Sequence, residues 1–196
     1  MALHPLEGHL PIRRALAAAL GRGRLPPVLL LHGMPGVGKQ RLALWLGQLL
    51  ACEAPILPAP GSTPGEGSEP PGPCGACHPC TLALRLEHPG IHPYVPVARP
   101  RSKGSREKDD EALEDARRGW IEETRAAPLR PSHSDEVRAL HLGTIRNLRR
   151  EAQRGTPSGA RRLFVLAQAE ELDAFLRHAR GALSGRLRIT APVMMG

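Results

Sequence analysis

The segment Val28-Leu29-Leu30-Leu31-His32-Gly33-Met34-Pro35-Gly36-Val37-Gly38-Lys39-Gln40 carries the first chemistry legible in the chain. An apolar run meets a glycine-rich turn of the form G-x-x-x-x-G-K, and Arg41 to Leu50 then resumes with helix-forming residues. That pattern is a phosphate-cradling loop between a strand and a helix. Gly33, Gly36 and Gly38 permit positive φ and let backbone N–H groups close around an anion. The following helix N-terminus adds partial positive charge, and Lys39 is placed to reach the outer phosphates. The nucleotide-binding set on this reading is Gly33, Gly36, Val37, Gly38, Lys39 and Gln40. Gln40 stands where a Ser or Thr hydroxyl would hold Mg²⁺, and an amide is a poor ligand for that hard cation.

Phosphoryl transfer also calls for an acidic residue ending a second strand. The second buried-strand pattern, Arg162 to Ala167, runs into Ala167-Gln168 where Asp-Glu would be wanted. Glu170 and Glu171 fall on the next expected helix and point elsewhere. Gln40, Ala167 and Gln168 therefore depart together from a hydrolysing site, and no catalytic residue is assigned. Binding without hydrolysis stays open, because Lys39 and the loop amides survive.

A second cluster points to metal. Cys52, Cys74, Cys77 and Cys80 supply the four thiolates of a tetrahedral structural zinc. Two C-x-x-C steps in series bring three ligands from one tight turn, with Gly75 and Pro79 favouring it. Cys52, at the end of the helix after the glycine loop, closes the set. His78 and His88 are alternative ligands, an iron–sulfur cluster is a rival occupant, and scattered reduced thiols are the plain alternative.

These groups need elements to position them. Residues 9 to 24 space Leu10, Ile12, Ala15, Leu16, Ala19 and Leu20 helically, ending at Gly21 and Gly23. Pro26-Pro27 forces extension before the strand at Val28 to His32. The next helix runs from about Lys39 to Ala51, with Leu42, Trp45, Leu46, Leu49 and Leu50 as its apolar face and Trp45 as filler. Pro55 to Pro73 reads as a solvated insertion, Thr81 to Glu87 as a short helix, and His88 to Val97 as interrupted extended chain. Arg99 to Arg130 reads as a surface insertion with a solvated helix. Leu140 to Gln153 is amphipathic, Glu170 to Leu183 helical, and Ser184 to Gly196 poorly patterned. Arg146, Arg149 and Arg150 read as a solvated face, with a basic binding face as the alternative. The order implies an α/β class with an at least partly parallel sheet.

Composition bounds the rest. Apolar residues make up 41% and aromatics only 3%, so the core must be Leu, Val and Ala. The net charge of +8 is carried mostly by arginine, which suits nucleic acid or an acidic partner but also follows from coding bias. No run reaches the roughly 18 apolar residues that span a bilayer, and Met1 to Leu10 lacks an apolar core of the signal type, so a cytoplasmic location is expected. Four cysteines in such a chain suggest metal rather than disulfides.

Taken in order, Gly33 to Lys39, Cys52, Cys74, Cys77, Cys80, His88-Pro89-Gly90-Ile91-His92, Ile145-Arg146-Asn147-Leu148 and Leu163 to Leu172 resemble the N-terminal region of bacterial DNA polymerase III clamp-loader subunits of the AAA+ class. The resemblance implies a three-layer P-loop NTPase domain over residues 1–172. It would hold a zinc module at about 52–80 and a charged insertion at about 99–130. Its gamma/tau branch keeps a Thr after the lysine and an acidic pair on the second strand, whereas delta-prime is commonly degenerate at both. Gln40, Ala167 and Gln168 make this chain similar to delta-prime. The implied role is a non-hydrolysing subunit of the loader, within the DNA polymerase III holoenzyme. Its implied partners are gamma/tau and delta and, through the assembly, the sliding clamp and primed DNA.

Departures set further expectations. Gly90 replaces a common Asp, and the interval from Cys52 to Cys74 is long. Residues 173–196 read as a divergent tail, where the family's next helix, sensor strand, arginine finger, lid and collar are not recognisable. A truncated or frameshifted product with an incomplete sheet is expected, its two apolar strands lacking neighbours. Two other functions compete: an active ATPase of gamma/tau type and a zinc-dependent nucleic-acid-binding protein.

Overall fold

The computed structural model describes residues 3–34, 36–58, 71–99, 105–127, 138–154 and 161–167, together with the backbone of 187–190. Helix α1 (Leu10–Gly21) has Pro11 in its first turn, where a missing N–H costs nothing. Strand β1 (Leu29–His32) leads through the glycine loop into α2 (Lys39–Ala51), both close to the expected bounds. Helix α3 (His78–Leu84) starts earlier than its apolar pattern suggests, inside the cysteine-rich turn. The chain continues through β2 (Ile91–Tyr94), β3 (Val97–Ala98), α4 (Arg106–Ala126) and β4 (Arg138–Ala139). It then forms α5 (Leu142–Gln153), β5 (Leu163–Leu166) and β6 (Leu187–Thr190). Glu170 to Leu183, expected as a helix, lies outside the described residues, as does Gln168.

Helix α2 is buried on two sides, and that positions everything else. Leu42, Trp45, Leu46 and Leu49 meet Ile12, Leu16 and Ala17 of α1, with Leu29 and Leu31 of β1 alongside. Leu44 joins Leu3, Ala83, Leu86, Ile91 and Val165 on the other side. Gly47 lets α2 approach the strands closely, since a Cβ there would meet Ile91 Cδ1 and Leu163 Cδ2 at 3.0 Å. Leu16 and Leu49 are essentially fully buried, each worth about 1.5–3 kcal/mol relative to exposure. Trp45 is core filler, with the Arg13 guanidinium 5.2 Å from its ring centroid.

The strands pair in twos. β1 and β6 run parallel from Leu29↔Leu187 to His32↔Thr190, and β2 and β5 run parallel from Ile91↔Leu163 to Tyr94↔Leu166. β3 and β4 form a short antiparallel pair. Parallel pairing agrees with the sequence, but two expectations are corrected. The poorly patterned tail supplies β6, and neither β1 nor β5 lacks a neighbour. Leu-Arg-Ile-Thr alternates apolar and polar, a strand pattern too short to stand out in isolation. Pro93 lacks an N–H, yet among the described residues β2 pairs on one side only, with β5, and so tolerates it.

Helix α4 also corrects an expectation: it is packed, not merely solvated. Leu113 joins Val95 and Val97 in a small core, with Trp120 and Ala167 against it. Asp110, only 7% exposed, takes Arg146 of α5 in a two-pronged pair, with Nε 3.0 Å from Oδ2. Arg150 lies 3.7 Å from the same carboxylate, and Asn147 Nδ2 donates to the Asp110 carbonyl at 2.9 Å. Two of the three α5 arginines therefore serve the fold, while Arg149 is exposed.

The Arg146 hydrogen bonds hold the Asp110 carboxyl below its ordinary range against the opposing effect of burial. A carboxylate with a depressed folded pKa stabilises above its unfolded pKa and loses that stability as the pH falls through the folded value. Asp110→Asn is thus expected to flatten the acid limb of a stability–pH profile below about pH 4. Urea melts across that range check it, and an unchanged limb would reject the pairing.

Candidate functional site: a glycine loop and a four-thiolate cluster

Glycine conformation shapes the loop between β1 and α2. Gly36 and Gly38 have φ of 81° and 84°, in the left-handed region that a Cβ disfavours. Gly38 is also the N-cap of α2, so Lys39 begins the helix immediately after the turn. The Lys39 ammonium folds back over the loop, with Nζ donating to the carbonyls of Gly33 at 2.7 Å and Met34 at 2.8 Å. Gln40 follows in the first turn of α2, half-buried, and Val37 is likewise half-buried. On the second strand, the Ala167 N–H donates to the Tyr94 carbonyl at 2.8 Å and its side chain lies against the α4 core.

The described structure brings one residue to the loop that spacing did not suggest. His9 Nε2 lies 2.5 Å from the Val37 carbonyl. A separation of 28 residues leaves no local signal for that contact.

The cysteines converge as their spacing implies. The sulfurs of Cys52, Cys74, Cys77 and Cys80 all lie within 4.8 Å of one another, and no disulfide joins them. A tetrahedron of thiolates on 2.3 Å bonds to zinc has sulfurs about 3.8 Å apart. The observed group is slightly wider, with Cys77 and Cys52 Sγ 4.0 Å apart, so the donor set fits a metal such as zinc. His78 and His88, weighed as ligands, are not in the group, and His88 Nδ1 instead accepts the Gly90 N–H.

Backbone amides already point at the sulfurs. The Cys74 N–H donates to Cys52 Sγ at 3.2 Å, and the Cys77 N–H to Cys74 Sγ at 3.5 Å. Amides of Cys77 and Ala76 draw the Cys74 thiol down to about 6, whereas burial pushes Cys80 and Cys52 up. Cys52 caps α2 and Cys77 caps α3, so a metal held here would join the two helices. The insertion between them is pinned at its base by Ile56 pairing with Gly72, which lies against Trp45.

A cleft of about 610 Å³ opens between α4, α5 and β2, away from both groups. Its charges are largely paired within the chain, through Arg117–Glu114, Arg150–Asp110 and Arg154–Glu151. His92 on its floor stacks on Phe164, with centroids 4.9 Å apart, and desolvation holds its pKa low.

Fold and site together define an α/β protein whose central helix links a glycine loop to a cluster of four cysteines that could hold a metal. The family described as DNA polymerase III, delta subunit, matches residues 9–176, and the chain belongs to that family. Membership gives it a clamp-loader role in DNA replication. No curated protein and no solved structure matches significantly. Among the described residues no helix is long and apolar enough to cross a membrane.

Proposed function

We propose that the chain is a delta-prime-type subunit of the clamp loader, with the P-loop fold of the AAA+ class and no ATP hydrolysis of its own. The observation that carries this reading is the state of the loop. Lys39 spends its ammonium on the Gly33 and Met34 carbonyls, and the next residue is Gln40 rather than a hydroxyl ligand for Mg²⁺. The second strand supports it, because the half-buried Ala167 methyl packs against the small core where a metal-holding carboxylate would be needed. The domain reading keeps residues 1–172 as one P-loop unit. β6 pairs in parallel with β1, so residues 187–190 add a strand beside that unit. One zinc at the four cysteines braces the helix that follows the loop. Gamma/tau and delta subunits are the partners on this reading, with the clamp and primed DNA reached through the assembly.

Reconstitution with gamma/tau and delta subunits tests it. ATP turnover of the complex is expected to be the same with wild-type chain and with Lys39→Ala. Turnover that falls on removing Lys39 would instead establish an active ATPase.

A further inference from the structure

We infer that His9 is a clasp for the glycine loop: a positioning residue that holds the loop's shape from α1, without nucleotide. The inference rests on reading this loop as a P-loop that has lost its chemistry. Its basis is where the His9 side chain goes. His9 is the N-cap of α1, yet it makes no side-chain bond to its own helix. It crosses instead to the far side of the loop and meets the Val37 carbonyl at 2.5 Å. A carbonyl only accepts, so the proton of that bond resides on Nε2.

The backbone is bent to allow this. Gly8 and His9 are both left-handed, with φ of 73° and 50°, and for histidine that conformation is uncommon. The His9 carbonyl still starts the helix, accepting the Arg13 N–H at 2.9 Å. The two left-handed residues therefore turn the side chain away from α1 while the main chain enters it.

Both ends of the clasp stand on helices that share one hydrophobic cluster. α1 is packed on α2 through Ile12, Leu16 and Ala17, and α2 begins at the loop itself. The His9 ring also lies beside Gly38, whose Cβ position is 3.4 Å from Nε2. With Lys39 on Gly33 and Met34, three carbonyls of the loop are satisfied by the chain's own side chains. A loop closed in this way needs no phosphate to hold it, which is what an architectural role requires.

Amide hydrogen exchange on the full chain, without nucleotide, tests the clasp at Leu42, whose N–H donates to the Gly38 carbonyl of the loop at 2.9 Å. His9→Gln keeps an N–H donor at similar reach, and His9→Phe keeps the ring but has no donor. Protection in His9→Gln is expected within about threefold of wild type, and in His9→Phe at least tenfold lower, a difference of about 1.4 kcal/mol. Amides inside α2 at Leu46 and Leu49 should be equal in all three proteins. Equal protection of Leu42 in His9→Phe and His9→Gln would overturn the clasp. ATP turnover, measured separately, bears on the loss of hydrolysis and not on this contact.

Discussion

One equivalent of zinc is expected per purified chain, none in Cys80→Ser, and a large loss of stability in that variant. Cys80 is 0% exposed and sits in α3, where α3 packs on α2. The metal would bridge that joint through Cys52 at the end of α2 and the three cysteines around the start of α3. Structural zinc contributes roughly 10–16 kcal/mol in peptides that fold only around it. Here α2 already rests on α1, so several kcal/mol is the reasonable share, and at about 2–4 °C per kcal/mol the melt should fall by 10 °C or more. Cys74→Ser should do less, because Cys74 is only half-buried where Cys80 is fully buried, and water can take its place on the metal. Metal analysis with thermal melts, with and without chelator, measures both effects. A chain that purifies without metal and melts identically in chelator would remove the metal from the account.

The contrast between the cysteines and β6 shows which features the sequence can reveal. C-x-x-C-x-x-C and G-x-x-x-x-G-K are local, so their spacing alone forces the groups together. α2 was equally legible, because it begins at a required glycine turn and its apolar residues repeat with a helical period. β6 is defined by a partner far back in the chain, Leu29 to His32, and four alternating residues say little by themselves. The packing of α4 is hidden in the sequence for a related reason. Its charge pattern reads as solvated, and nothing local says that Asp110 is held by Arg146, 36 residues away. His9 is the same case at a separation of 28. Pairings between distant polar residues are where the reading from sequence stopped.

The packing of α4 makes a prediction whose sign is the test. Gly143→Ala in α5 is expected to destabilise the protein, although alanine is the better helix former by about 1 kcal/mol. A Cβ at Gly143 would come 2.5 Å from Asp110 Oδ1 and 2.6 Å from Leu113 Cδ1, closer than real contacts allow. Neither neighbour retreats freely. Arg146 and Asn147 hold Asp110 at its carboxylate and its carbonyl, and Leu113 is 6% exposed against Val95 and Val97. Overpacking of this kind costs about 1–3 kcal/mol, so steric cost outweighs propensity, and a bulkier Gly143→Leu should lose more. Gly119→Ala on α4 is the matched control, with nothing within 4 Å of its Cβ position. There only the propensity gain remains, and the same substitution should stabilise by up to about 1 kcal/mol. Urea melts of the two variants should therefore shift in opposite directions. A shift in the same direction would mean that α4 does not press on α5 as closely as Asp110 and Arg146 imply.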